Sequence, residues 1–245
     1  MIINDFVLNQ IVTSGLVLNL DAGNIASYPT TGTTWTDLSG LGNNGTLVNG
    51  PTYSGANGGS IVFDGVDDYV GWDTLNAVKW QNWTSITIDC VFKLVSYTGA
   101  FNGRQYLFDF RDSGGVDGAF ACFYDSNITP FGLKLFYNTV GNSYDETAIT
   151  TFSLGSIIYY QVTFDKTSST NNIKHYINGT NVLTKSITIN SNTTNTGRVW
   201  IGRYGGLDTG YKWNGNVYMF KAYNRALSAS EVAQNFNANR WRYGI

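Results

Sequence analysis

The clearest periodicity in the chain lies in Ile86-Thr-Ile-Asp-Cys-Val-Phe-Lys-Leu94, where Ile86, Ile88, Cys90, Phe92 and Leu94 share one face and Thr87, Asp89 and Lys93 the other. A period of two is the signature of a half-buried strand. Leu16–Asp21 is a second clear strand, and short strand-like runs follow over Gln105–Arg111, Ala119–Asp125, Leu133–Asn138, Ile157–Asp165, Ile173–Asn178, Val182–Ile187, Arg198–Tyr204 and Trp213–Tyr223. Gly, Asn, Ser and Asp separate nearly all of them, a cadence that predicts an all-β fold, a two-sheet antiparallel jelly-roll sandwich. Between Ile61 and Val70, two apolar runs flank Asp64-Gly65 and the doublet Asp67-Asp68, which predicts a hairpin with an acidic turn. Residues 24–59 are rich in Gly, Ser, Thr and Asn and read as a long loop anchored by Trp35 and Leu38.

The period changes once. Ser228 with Glu231 forms a capping box and Leu227 with Val232 a hydrophobic staple, so one short C-terminal helix is expected over about Ala229–Asn239, its stripe being Val232 and Phe236. Residues 1–14 read as an N-terminal arm and 15–245 as one domain, closed by the tail Arg240–Ile245.

Aromatic residues make up 15% of the chain and charged residues 13%, with 28 glycines and 3 prolines, a balance that suits strands joined by glycine turns. The net charge of −2 leaves no nucleic-acid footprint, and no run is long and apolar enough for a membrane span. The N-terminus lacks the pattern of a secretory signal, so synthesis in a cytoplasm is expected. Cys90 and Cys122 sit in apolar runs without metal-ligand spacing and read as two buried thiols.

Candidate chemistry is thin. The only glutamates are Glu146 and Glu231, and Glu231 belongs to the helix cap, so a paired-glutamate glycosidase has no residues to run on. An Asp89–Asp109 pair is the remaining acid–base candidate, and the lone His175 has no Gly-x-Ser-x-Gly elbow to serve. Asp37, Asn43, Asp64, Asp67 and Asp68 lie in glycine-rich turns and fit either a bound Ca2+ or Asx turns that cap local N–H groups. Trp72, Trp80, Trp83, Tyr204 and Tyr211, near turn-rich segments, are candidates for stacking on a sugar.

Val62-Phe-Asp-Gly-Val-Asp-Asp-Tyr-Val70, His175-Tyr-Ile-Asn-Gly179, Trp213-Asn-Gly-Asn216 and Tyr223-Asn-Arg-Ala-Leu-Ser-Ala-Ser-Glu-Val232 together resemble the concanavalin A-like lectin/glucanase jelly rolls, most closely the laminin G-like branch. Gly15-Leu-Val-Leu-Asn-Leu-Asp-Ala-Gly-Asn24 and Gly32–Leu47 are similar to laminin G-like virion proteins of tailed bacteriophages, except that Leu41 stands where those commonly have Asn. This second resemblance implies a non-catalytic structural protein of a virion, a capsid decoration or a fibre or tail component, with binding to glycans or cell surfaces. On this reading the arm 1–14 and the tail 240–245 contact other virion proteins, copies repeat symmetrically, and removal of the arm abolishes incorporation without unfolding the domain. A stand-alone lectin module is the alternative.

Overall fold

A computed structural model describes residues 10–72, 85–97, 102–110, 120–127, 132–138, 144–150, 152–188, 199–205 and 210–245. In chain order the strands are β1 (Leu16–Asp21), β2 (Thr34–Trp35), β3 (Gly45–Val48), β4 (Thr52–Ser54), β5 (Ser60–Asp64), β6 (Tyr69–Gly71), β7 (Ser85–Leu94), β8 (Arg104–Asp109), β9 (Phe120–Asp125), β10 (Gly132–Asn138), β11 (Tyr144–Thr150), β12 (Ile157–Asp165), β13 (Ile173–Ile177), β14 (Thr180–Lys185), β15 (Trp200–Ile201) and β16 (Asn214–Tyr223). The α-helix α1 (Ala229–Asn239) follows.

The strands form two antiparallel sheets. The first runs β14-β13-β12-β7-β16-β5-β4, and the second β11-β10-β9-β8-β15-β6-β3-β2. One edge of β16 is shared: Asn214–Val217 pair with β5, and Met219–Tyr223 with β1. Alternate residues of both sheets meet in one core that includes Ile88, Cys90 and Phe92 from β7, Phe108 from β8, Cys122 from β9 and Phe220 from β16, closed by Trp35 and Trp213. Both cysteines are free and buried, as the sequence suggested.

Three local readings change. The Ile61–Val70 stretch is a corner, because β5 pairs in the first sheet and β6 in the second, so the acidic turn carries the chain across the sandwich. The expected face holds nonetheless, with Ile61 and Phe63 buried and Asp64 exposed. Residues 24–59 contain β2, β3 and β4, whose short runs lack the alternation that would reveal them. Glu146, expected in a polar loop, belongs to the edge strand β11.

The largest change concerns β7, which is buried on both faces: Thr87 and Asp89 have no exposure. The outer face of the first sheet is covered by α1. Ser228 accepts from the Glu231 N–H while the Glu231 carboxylate accepts from the Ser228 N–H, the expected capping box, and Leu227 and Val232 pack together with Tyr223 and Tyr176. Arg225 holds Glu231 with two hydrogen bonds, which with the cap lowers its carboxyl to about 2. Gln161 and Tyr159 of β12 donate to the carbonyls of Val232 and Asn235, tying the helix to the sheet.

Neither terminal segment, where described, stands free. Val12 is buried under α1; its N–H donates to Asn235 Oδ1 at 2.8 Å and its carbonyl accepts from the Tyr223 hydroxyl at 3.0 Å. In the tail, Arg242 pairs with Asp21 and donates to the Gly58 carbonyl, and Tyr243 is buried against Tyr218. The arm and tail expected to reach other subunits are thus, over residues 10–14 and 240–245, parts of the domain's own packing. In the tail Trp241, a large apolar side chain, is 74% exposed.

Candidate functional site

The outer face of the second sheet carries an aromatic and cationic surface. Strand alternation turns Val70 and Ile201 into the core and leaves Tyr69 and Trp200 on the opposite face, where their rings meet edge to face at 5.7 Å. Gly71 makes room for this: a Cβ there would lie 2.8 Å from the Trp200 ring. Arg203 and Lys212 face each other across an isolated bridge. The Arg203 guanidinium lies 4.7 Å from the centroids of both Tyr69 and Trp200, and the Lys212 ammonium 5.3 Å from Tyr69. Burial, with the adjacent Arg203 charge, lowers Lys212 to about 8, against the opposing pull of Asp67 and Asp68.

The surface continues across β8, β9 and β10. Tyr106 stacks on Phe123 at 4.8 Å and is met edge-on by Tyr204 and Tyr211, which are half-buried. Arg104 and Lys134 both pair with Asp125 and lie over the Phe123 ring. Half-buried Tyr69, Trp200, Arg203, Tyr204 and Tyr211 thus edge a floor of buried Tyr106 and Phe123. A flat ring with adjacent charged donors is what a sugar requires, its apolar face stacking and its hydroxyls hydrogen-bonding.

Of the aromatic candidates, Tyr204 and Tyr211 lie in this surface. Trp72 does not: it is 4% exposed, packs in the core, and spends its indole N–H on the Asn43 carbonyl at 3.0 Å, so no ring face is left for a sugar. Trp80 and Trp83 lie outside the described residues. Sequence reasoning missed Tyr69, Trp200 and Arg203. The signal was present in the alternation Tyr69-Val70-Gly71 and Trp200-Ile201, but strands of two or three residues are too short to assign faces without the register.

The five oxygen-bearing candidates separate into two groups. Asp37 accepts from the backbone of Asn19, Ser39 and Asn43 and from the Ser39 hydroxyl, and the Asn43 amide donates to the Val17 carbonyl. Their side chains are used in closing the loop, and Asp37 is not among the carboxylates that gather within reach of one another. Asp64, Asp67 and Asp68 do come together, with one carboxylate oxygen of each within 4.8 Å of the others. Asp68 is buried and accepts from the Asp64 N–H, and Asp64 accepts from the Val66 N–H, so Asx geometry is present as well. Burial raises the Asp68 carboxyl, and the charges of Asp64 and Asp67 add to the rise. Three hard oxygens fit calcium in type, yet fall short of the six to eight it takes, roughly, so carbonyls or water would complete the shell.

The acid–base candidates do not assemble. Asp89 lies on the outer face of the first sheet and Asp109 on the second, with the core between them. Asp109 pairs opposite Ala121, four positions along β9 from Asp125, which places the two aspartates about 13 Å apart. That exceeds the roughly 5–9.5 Å of glycosidase carboxylate pairs. His175 is buried, its Nδ1 shares a hydrogen bond of 2.9 Å with the Tyr160 hydroxyl, and burial drives its pKa to about 3. Among the described residues no helix is long and apolar enough to cross a membrane.

Comparison with known proteins gives a consistent picture. Trypanosoma rangeli sialidase in complex with sialic acid is similar in structure at a TM-score of 0.67 and 16% identity over 93% of this chain. The binding domain of Paraclostridial Mosquitocidal Protein 1 matches at 0.67 and 16% over 91%, and a tryptophan-to-alanine mutant of HCR/D at 0.69 and 10% over 93%. The chain spans 33% of the sialidase and 52% of each of the other two, and at these identities the likeness is one of fold. No curated protein sequence matches. A laminin G-type family model matches residues 64–233, most of the chain, and on that match this protein belongs to the concanavalin A-like lectin/glucanases superfamily.

Proposed function

We propose that the protein is a non-catalytic glycan-recognition module that binds through the outer face of the second sheet. The observation that carries this reading is the half-buried pair Tyr69 and Trp200 under the Arg203 guanidinium, backed by Tyr204 and Tyr211. The lectin-like fold and the sugar ligand named for the sialidase support it. Trp200→Ala is expected to weaken binding to any oligosaccharide selected from a glycan array by about 30-fold, the loss of one aromatic hot spot worth about 2 kcal/mol. Trp241→Ala, on the opposite side of the molecule, should leave affinity unchanged. An array with no binder, or a Trp200→Ala variant of full affinity, removes the reading.

We place this module on a bacteriophage particle as a structural component. The motifs of Gly15–Asn24 and Gly32–Leu47 carry that placement, and in the tail the exposed Trp241 is the side chain left for a contact to the particle. Purified virions should contain the protein at a fixed ratio to the major shell protein; its absence there leaves the stand-alone lectin. The same proposal gives Asp64, Asp67 and Asp68 to a calcium ion at the corner between β5 and β6. Calcium added to chelated protein should raise Tm, and Asp67→Asn should abolish the rise; an unchanged Tm assigns the three aspartates to turn geometry alone.

A further inference from the structure

Beneath α1, on the outer face of the first sheet, four polar side chains stand in one row across neighbouring strands. Asn19 of β1 is opposite Lys221 of β16, Lys221 is opposite Asp89 of β7, and Asp89 is opposite Gln161 of β12. Lys221 is 2% exposed and Asp89 fully buried, whereas Asn19 is half-buried. Hydrogen bonding in this row is incomplete. Asn19 Oδ1 and Asp89 Oδ1 are buried without a partner, and the Lys221 ammonium finds only the Met219 sulfur, a weak acceptor. Neither Asp89 nor Asp21, the carboxylates that influence it, comes within ion-pair distance of Lys221. A buried ammonium without such a partner costs several kcal/mol, and unsatisfied buried polar atoms need a reason.

We propose that Lys221 and Asn19 are joined by a spontaneous isopeptide bond that clamps the last strand of the sheet to the first. Directly opposed residues of an antiparallel pair have Cβ atoms about 5 Å apart, a span that the lysine methylenes and one amide cover. In the step, the Lys221 side chain turns from the Met219 sulfur towards Asp89, the residue opposite it, whose carboxylate takes a proton from the ammonium. The freed Nζ lone pair attacks Asn19 Cγ, the bond from Cγ to Nδ2 breaks, and Nδ2 leaves with the two protons shed by Nζ as ammonium ion. No oxidant or reductant takes part, and the half-buried Asn19 gives the leaving group a way to solvent. Burial lowers the pKa of Lys221 and raises that of Asp89, which narrows the gap that the proton transfer to a neutral amine beside a neutral acid must cross. Asn235 is the poorer acceptor, since its Oδ1 is held by the Val12 N–H and its Nδ2 by Asp89 and Tyr223.

Intact-mass measurement of the full chain under denaturing conditions tests this. The wild-type mass should fall below the sequence mass by one ammonia, with the peptides containing Asn19 and Lys221 recovered as a linked pair. Asn-Gly sites such as Asn57-Gly58 lose ammonia too, through succinimides, so Lys221→Met and Asn19→Ala must both restore the sequence mass. Asp89→Asn should leave most of the chain unlinked. A wild-type chain at its sequence mass, or a loss that persists in Lys221→Met, overturns the proposal. If the variants do not fold, the wild-type mass and the linked peptide decide alone.

Discussion

A chain shortened to begin at Gly15 is expected to lose on the order of 4 kcal/mol of stability, seen as a fall in Tm of roughly 8–16 °C for a domain of this size. The loss comes from three sources. Burial of Val12 contributes about 1.5–3 kcal/mol. Asn235 Oδ1 and the Tyr223 hydroxyl proton then lose their partners under the helix, at about 1–3 kcal/mol each. The bonds from Gln234 to the Gln10 carbonyl and from Arg225 to the Ser14 carbonyl are exposed and add little. The expectation from sequence is the opposite, an arm of residues 1–14 whose removal leaves the domain folded, and the measurement of Tm decides between the two. Failure of the truncated chain to enter particles would therefore report a missing attachment point only if its Tm equals that of the full chain. A truncated chain with unchanged Tm would show that the strap over Asn235 carries no energy.

The second large effect is acid sensitivity. His175 has its ordinary pKa near 6.5 when unfolded and about 3 when folded, because burial, with the nearby Lys185 charge, disfavours the imidazolium and Nε2 has no partner to accept its proton. The unfolded chain thus binds one proton more across that interval. Stability should fall as pH drops from 6.5 towards 3, by at most about 1.4 kcal/mol per pH unit, or about 2 kcal/mol at pH 5. Asp89 and Asp68, whose carboxyls are raised, act in the opposite direction. The comparison that isolates the histidine is His175→Gln: urea midpoints of the variant should change less between pH 6.5 and 5 than those of the wild type. Equal slopes would mean that His175 titrates normally.

Much of the architecture was legible because the signals that specify it are local. Leu16–Asp21, Ile157–Asp165 and Ala229–Asn239 were readable to the residue, the first two from apolar strand composition and the third from its cap. What escaped depends on partners distant in sequence. Asp64-Gly65 has the composition of a hairpin turn, and only the registers of β16 and β15 reveal that its two flanks belong to different sheets. Asp89 reads as a solvated position by alternation, and becomes a buried one because a helix 140 residues later lies over it, with Asn235 donating to its carboxylate at 2.8 Å. The candidate site was harder still. Tyr69 and Trp200 come from short strands, and the bridge between Arg203 and Lys212 is what brings their charges over those rings.

The strap at Gln10–Ser14 and the tail at Arg240–Ile245 both lie on the α1 side of the sandwich, against the outer face of the first sheet. Tyr69, Trp200 and Tyr211 occupy the far side, beyond the core. The domain therefore has a back and a front. Anything joined to either end of the described chain holds it from behind, so an array of copies anchored in this way would turn every aromatic face outward, and weak single contacts with a glycan-coated surface would act together.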